Sequence, residues 1–503
     1  MQEMNMKKDG YARVLKYTGV FGGVQGLSMI ATIVRNKFAA MFLGPAGLGL
    51  VSVYNTTITL ISNATNFGIP FSAIRNISAL YDENESAKDK ISEFVEVVRN
   101  WSVLTAILGV LFCCCCSYYL SEWTFGNSDY TLAFILLSPI LGLMAISSGE
   151  LAILKSIRRL QPVALISLYC AVGSLFVTIP LYYFVGVNGI IPSLILLALL
   201  TMGITLFYSC KYYHFHISLF SVDSLKKGIP MIKLGVAFIL AGIFGSGVEY
   251  IIRSYLLNVD SLDCVGLYNA GYSITVTYAG LLFTAMGTDY FPRLSSICKD
   301  VDKMNFTVNQ QMEISVILAS PLLVLFILVM PILLPLLYAD TFLPVINMAK
   351  CAAFSIYFKA MILPIAYISL ARGDSKSYLL LELIGDICVV LLIIIGFRYW
   401  GLLGTGVAIS VAYLLELFLV YTYTHFHYRF RLSMSVFKVF LIQLPSGILA
   451  FILSFCLRGI LYWLLGIICI AISAFISLRI LQKRTNLLDV FKMKINSLLK
   501  KKK

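Results

Sequence analysis

The chain has 503 residues, 59% of them hydrophobic and only 13% charged, with a mean hydropathy of +0.88. That is too little polar surface to clothe a water-soluble globule of this size, so lipid must be the solvent. The formal charge of +14 is spread in small groups between apolar runs, a distribution that reads as membrane topology signals and excludes a nucleic-acid-binding protein.

Fourteen membrane-crossing helices are predicted, each long enough at 1.5 Å per residue to cross a hydrocarbon layer of roughly 30 Å. They fall at 12–36, 46–68, 92–118, 129–153, 160–184, 188–210, 230–255, 264–288, 309–337, 343–370, 377–398, 402–424, 434–457 and 459–480. The first run begins after Lys16, is too long for the apolar part of a cleavable signal, and reads as a retained anchor. The 12 cysteines, including the run Cys113 to Cys116, sit almost entirely in apolar segments without metal-ligand spacing, and read as small apolar residues.

Loop charge tests the helix count. About 30 basic residues fall on the side of the N-terminus, about 5 at or near the other side, and about 4 inside spans. Both termini are therefore expected in the cytoplasm. The tail from Lys483 to Lys503 carries eight basic residues among Leu487, Val490, Phe491 and Ile495. It reads either as an amphipathic segment on anionic lipid or as a solvated tail.

An internal repeat constrains the organisation further. A shift of 217 or 218 positions pairs Arg35 with Arg253, Gly49 with Gly266, Arg75 with Arg293, Lys155 with Arg372, Arg159 with Lys376 and Gly189 with Gly406. His214-Phe215-His216 and His425-Phe426-His427 close the two units at a shift of 211. Six helices per unit give both units the same orientation in the membrane, which implies a pseudo-two-fold axis along the membrane normal. The predicted fold is an all-α integral membrane protein with an N-lobe at 1–217, a C-lobe at 218–430, two extra helices within 431–482 and a basic tail at 483–503.

Nothing in the sequence carries catalysis. Gly44-Pro45-Ala46-Gly47-Leu48-Gly49 lacks the Gly-Lys-Ser/Thr ending that holds a nucleotide phosphate, and there is no Gly-x-Ser-x-Gly elbow or His-Glu-x-x-His zinc pattern. The two His-x-His sequences invite a metal reading, but they lie at helix ends beside tyrosines and read as interfacial packing; no metal or cofactor is expected.

The informative residues are charges within or near spans, since a charge in hydrocarbon costs several kcal/mol unless it faces a cavity or a partner. They are Arg35, Arg99, Glu150, Lys233, Glu249, Arg253, Lys350, Lys359, Glu382, Asp386 and Glu416. Arg35 and Arg253 hold equivalent places near the outer ends of predicted helices 1 and 7. Converging on one cavity they would clamp a diphosphate; alternatively they snorkel, or Glu249 neutralises Arg253 from one turn away. Lys359 would extend the cationic path. Glu382, Asp386 and Glu416 suit exchange of H⁺ or binding of Na⁺, with a static ion pair to Lys359 as the rival.

The segment Phe42-Leu43-Gly44-Pro45-Ala46-Gly47-Leu48-Gly49-Leu50, with Phe291-Pro292-Arg293-Leu294-Ser295 and Gly68-Ile69-Pro70 ahead of Arg75, resembles the O-antigen translocase family. These are the lipid-linked oligosaccharide flippases of the multidrug/oligosaccharidyl-lipid/polysaccharide exporter superfamily. The resemblance covers both six-helix lobes, and the last two helices resemble those of fourteen-helix members. It implies alternating access around a cationic cavity in a bacterial inner membrane, with a polyprenyl diphosphate oligosaccharide as substrate and H⁺ or Na⁺ as coupling ion. Membrane lipid, a polysaccharide polymerase and a chain-length regulator are the implied partners, around a monomeric transport unit. Arg35 and Arg253 match that picture. A drug/cation antiporter of the same superfamily and a membrane glycan polymerase or ligase are the rival readings; the first would want an acidic and aromatic lining, the second a substantial outer loop carrying catalytic residues.

Overall fold

The computed structural model describes residues 2–83, 88–157, 160–214, 222–278, 280, 283, 290–291 and 293–484, and contains no β-strand among them. In chain order the helices are α1 Gln2–Thr65, α2 Ile69–Glu83, α3 Lys88–Phe125, α4 Thr131–Ser156, α5 Leu160–Val185, α6 Ile190–Cys210, α7 Val222–Val259 and α8 Leu262–Tyr272. A π turn at Ser273–Tyr278 follows, then α9 Val301–Leu337, α10 Ile346–Ala352, α11 Ser355–Ala371, α12 Ser375–Tyr428, α13 Met434–Cys456 and α14 Ile460–Arg484. The predicted segment 264–288 lies partly, and the tail beyond 484 wholly, outside the described residues.

Eight helices among the described residues are long and apolar enough to cross a membrane, or nine when α10 and α11, bent by 47°, count as one. Three of the eight, Gly26–Thr65, Gln161–Cys210 and Ser375–Tyr428, each hold two predicted spans. The bent pair corresponds to the predicted span 343–370, and the predicted spans 230–255 and 264–288 are not among those counted. Helix α1 turns at Gly44 (φ 65°, ψ −172°) and α12 at Gly401 (φ 55°, ψ −140°). Both are left-handed conformations that a Cβ would strain, so glycine is what breaks each long apolar run into two limbs. Gly186 (φ 63°) makes the same turn between α5 and α6. The chain is a multi-pass helical membrane protein.

Two compact units emerge: Met1–Gly266 with Leu336–Thr341, and Leu267–Pro335 with Phe342–Lys503. In the first, α7, which opens the second sequence repeat, packs on α1, α2 and α3. Helix α2 was not among the predicted spans. It is amphipathic and too short to cross, and its Ile69, Ala73 and Ile77, one turn apart, are buried in one cluster with Val95 and Val98 of α3, Ile153 of α4, Ile157 at the C-cap of α4, and Met231 of α7.

The second unit is built around α9. Its Met304, Val308, Met312 and Val316 recur every fourth residue and are fully buried, together with Ile356, Tyr357 and Ala360 of α11. The two extra helices belong to this core. Val436 and Ala450 of α13 and Tyr462 and Cys469 of α14 are buried in the same cluster. Hydroxyls act as interhelical glue: Ser477 donates to the Ile317 carbonyl at 2.8 Å, Gln443 donates to Ser477 at 2.8 Å, and Tyr462 donates to the Leu328 carbonyl at 2.5 Å.

Candidate functional site: a cavity in the first unit and the intramembrane charges

Four helices of the first unit enclose a cavity of about 580 Å³. Helix α1 contributes Arg35, Asn36 and Ala39 before its turn and Leu48, Val51, Asn55, Ile58 and Thr59 after it. Helices α4, α5 and α6 supply Ser147 and Ser148, Ser167, Thr178 and Tyr182, and Thr201 and Thr205, interleaved with apolar residues such as Ile140, Met144, Leu151 and Leu197. Arg35 is the one charged residue on this wall among the described residues. Its guanidinium donates to the Asn36 side-chain oxygen at 3.2 Å and acts electrostatically on Tyr182, whose hydroxyl accepts from Ser193 at 3.0 Å. A cation, two amides and a run of hydroxyls on an otherwise apolar wall can hold an anionic group at one end and a hydroxyl-rich group along the rest.

Arg253 lies elsewhere. It is 5% exposed, donates through Nε to the Ser52 hydroxyl at 2.7 Å, and meets Glu249 at 3.3 Å. It is not among the described residues lining this cavity. Glu249 sits one turn before it, and Ser52 presents an acceptor from α1.

Arg99 and Glu150 form a structural pair. Both are nearly inaccessible, at 3% and 2%, and bond in bidentate fashion at 2.7 and 3.1 Å. Arg99 also donates to the carbonyls of Tyr213 and His214 at 3.1 and 2.5 Å, and Ser209 donates to Glu150 at 2.5 Å. The pair thus ties α3 and α4 to the end of α6, with most of its donors and acceptors used. Lys350, 4% exposed, donates to the Ser454 carbonyl at 2.8 Å in the last turn of α13, where a cation complements the helix dipole. It pins an extra helix and lines no described cavity.

The remaining charges gather in the second unit. Glu382 and Asp386 lie on the first limb of α12 and Glu416 on the second, where it packs against Gly385: a Cβ built there would lie 3.5 Å from the Glu416 side chain. The charges of Glu416 and Glu382 act on Lys359, whose Nζ lies 5.6 Å from the Tyr413 ring centroid. All four ionisable residues are half-buried. The structure therefore brings Lys359, Glu382, Asp386 and Glu416 into one electrostatic group.

At the foot of α12, Asp374 caps the helix. It accepts from the Ser377 amide at 3.1 Å, the Ser377 hydroxyl at 2.6 Å and the Tyr428 hydroxyl at 2.8 Å. The Ser377 hydroxyl first, then the Ser377 amide and the Tyr428 hydroxyl, hold its carboxyl below the usual carboxylate range. His427 stacks on Tyr423 with centroids 5.1 Å apart and has Nε2 3.6 Å from Asp374; His425 Nδ1 meets the Phe430 carbonyl at 2.8 Å. These histidines are engaged in packing and capping; His216 lies outside the described residues.

Attention to charge alone passed over the neutral wall of the cavity. The available signal was the Ser147-Ser148 pair and the one-turn spacing of Thr201 and Thr205, polar residues in otherwise apolar runs.

Solved structures share this fold: an inward-facing multidrug resistance MATE family transporter of the MOP superfamily matches with a TM-score of 0.66 at 14% identity, over 82% of this chain and 96% of the other. The lipid II flippase MurJ, in an inward closed conformation, matches with a TM-score of 0.71 at 15% identity, over 92% of this chain and 99% of the other. Residues 14–298 match the family described as polysaccharide biosynthesis protein, and the chain belongs to that family. Two curated relatives, each named lipid III flippase, from Escherichia coli (strain K12) and Shigella flexneri, are 25% identical over 288 residues, or 54% of this chain. The chain spans 65% of the length of each.

Proposed function

We propose that this chain is a flippase that carries a polyprenyl-diphosphate-linked oligosaccharide across a bacterial inner membrane by alternating access, driven by an ion gradient. The observation that carries the reading is the first-unit cavity, whose wall joins one guanidinium to amides, hydroxyls and apolar surface. A glycan diphosphate cannot cross hydrocarbon unaided, because its polar groups would lose water without replacement. Arg35 offers the diphosphate a rigid fork of donors, the neutral polar wall takes sugar groups, and the lipid tail stays in the bilayer. The names of the relatives and the family description support a lipid-linked glycan as cargo. The antiporter reading is disfavoured because no carboxylate lines this wall among the described residues.

Arg253 and Lys359 enter the proposal as later contacts of the diphosphate, and Asp386, Glu416 and Glu382 as the group that exchanges H⁺ or Na⁺. The basic-loop asymmetry puts both termini in the cytoplasm. The test is translocation of a polyprenyl diphosphate oligosaccharide in vesicles holding the purified chain. Gradient-dependent exposure of the glycan on the far leaflet, lost in Arg35→Ala, is the expected result. Vesicles that behave like protein-free ones, or an Arg35→Ala variant with wild-type rates, would overturn it.

A further inference from the structure

The cavity in the first unit has a polarity of hydrogen bonding that its residue types alone do not reveal. All seven serine and threonine hydroxyls on its wall donate to a backbone carbonyl of their own helix. Ser147 donates to the Leu143 carbonyl at 2.6 Å, Ser148 to that of Ala145 at 2.9 Å, Ser167 to that of Val163 at 3.2 Å, and Thr201 to that of Leu197 at 2.8 Å. Those of Thr59, Thr178 and Thr205 do likewise at 2.7 Å. A hydroxyl has one hydrogen and two lone pairs, so one that donates to its helix and remains accessible turns acceptor capacity toward the cavity. Thr59, Ser148, Ser167 and Thr201 are accessible, whereas Ser147, Thr178 and Thr205 are buried. A ligand bringing O–H or N–H donors binds these oxygens without disturbing them. A ligand bringing only acceptors must first break the intrahelical bond.

The donors are gathered differently. Arg35 and Asn36 are bonded to each other, and Tyr182 lies within the electrostatic reach of Arg35. Ser167 is 15 residues from Tyr182 along α5, about 22 Å at 1.5 Å per residue. Thr178 lies one turn from Tyr182, and Asn55 adds a second amide on α1, so the acceptor-lined stretch that stands apart from Arg35 is formed by Ser148 of α4, Ser167 of α5 and Thr201 of α6.

Resting on the reading of this cavity as the seat of a lipid-linked oligosaccharide, we propose that its acceptor-lined stretch selects an uncharged, donor-rich glycan and rejects acidic sugars. Arg35 suffices for one anionic locus, the diphosphate. A carboxylate further along would meet oxygens presenting lone pairs, in surroundings where an unpaired charge is strongly disfavoured. N-acetylhexosamines and neutral hexoses bring the hydroxyl and amide hydrogens that the wall accepts.

The experiment uses the full chain in nanodiscs and two soluble probes: a short-chain prenyl diphosphate carrying an N-acetylhexosamine disaccharide, and the same compound with the terminal sugar oxidised to its 6-carboxylate. Equilibrium binding of each is measured for the wild type and for Thr201→Lys, with elution as a single species checked for both proteins. The neutral probe is expected to bind at least about ten-fold more tightly, and the lysine, by placing a cation on the acceptor-lined stretch, should shrink or reverse that ratio. Equal affinities, or tighter binding of the carboxylate, overturn the selectivity while leaving the lipid-linked cargo standing. A ratio unchanged by a well-behaved Thr201→Lys removes this wall as the element that reads the sugar. If neither probe binds, the cargo assignment falls and the selectivity with it.

Discussion

Gly49 and Gly266, 217 positions apart and paired by the sequence repeat, touch in a reciprocal way. A Cβ built on Gly49 would lie 2.1 Å from the Leu262 carbonyl oxygen, and one built on Gly266 would lie 1.9 Å from the Pro45 carbonyl oxygen. Each glycine meets the residue four positions before the other, so the contact is self-complementary, as a two-fold relation between repeats requires. Small residues are what allow such backbone approach between helices in lipid.

Gly49→Ala should therefore destabilise the fold although alanine is the better helix former. The obstacle is backbone, which cannot swing aside as a flexible side chain would, and overpacking of this kind typically costs about 1–3 kcal/mol. A thermal denaturation series in detergent checks it: Gly49→Ala should melt well below wild type, and Gly26→Ala, where a Cβ meets nothing within 4 Å, should not.

The pair Arg99 and Glu150 predicts strong non-additivity. Arg99→Ala or Glu150→Ala alone strands a buried charge and should cost about 3–5 kcal/mol, whereas Arg99→Met with Glu150→Leu together should recover most of the loss. Double-mutant melting curves measure this. Additive losses would mean that the two residues do not stabilise each other.

At Asp374 the prediction concerns pH. Its folded carboxyl is held below the ordinary value of about 3.9. Its contribution is therefore fully present above the unfolded value and is lost as pH falls through the folded one. Asp374→Asn keeps one oxygen to accept the Ser377 amide but loses the charge and the second acceptor, so it should be less stable than wild type at neutral pH by less than the roughly 0.5–2 kcal/mol of a cap replaced by alanine. The difference should narrow below about pH 4. Melting temperatures of both proteins across an acid series decide it.

How much of this was legible in the sequence follows from the range of each interaction. Apolar runs act locally, so the ordered spans and the breaks between 36 and 46 and between 398 and 402 could be read directly, while the glycines that make those breaks, Gly44 and Gly401, were not singled out. Helix α2 escaped because its signal is amphipathic and falls below spanning length. The partner of Arg99 is Glu150, 51 residues away, and the anchor of Arg253 is Ser52, 201 residues away. Such pairings exist only once helices pack. The hydroxyl wall was hidden for another reason: serine and threonine in lipid-embedded helices usually serve packing, and only a shared cavity distinguishes those that face a ligand.

Among the second-unit carboxylates, Glu416 and Asp386 should separate folding from coupling. Each amide replacement removes an ionisable carboxyl and leaves the shape nearly unchanged, so it tests the proposed coupling role directly. Glu416→Gln and Asp386→Asn should insert and melt like wild type while gradient-driven translocation in vesicles falls to the ungraded rate. Normal gradient response in both variants would place coupling elsewhere.

The two arginines that the repeat makes equivalent should behave differently, because the structure gives them different surroundings. Arg35 lines the cavity, and Arg253 is buried against Ser52 and Glu249. Arg35→Ala should lose binding of a prenyl diphosphate glycan with little change in melting temperature. Arg35→Lys should retain only part, since an ammonium offers a point charge where the guanidinium offers a planar fork. Arg253→Ala should instead lower the melting temperature, because it leaves Glu249 without its partner and the Ser52 hydroxyl without its donor, an effect of about 1–3 kcal/mol for a buried polar group left unpaired. Ser52→Ala should reproduce part of that loss, and Arg35→Ala none of it. Measuring affinity and melting temperature for the four variants separates the roles. Equal loss of affinity in Arg35→Ala and Arg253→Ala at wild-type stability would restore a two-arginine clamp, and a loss of stability without loss of affinity in Arg35→Ala would remove the guanidinium from the substrate site.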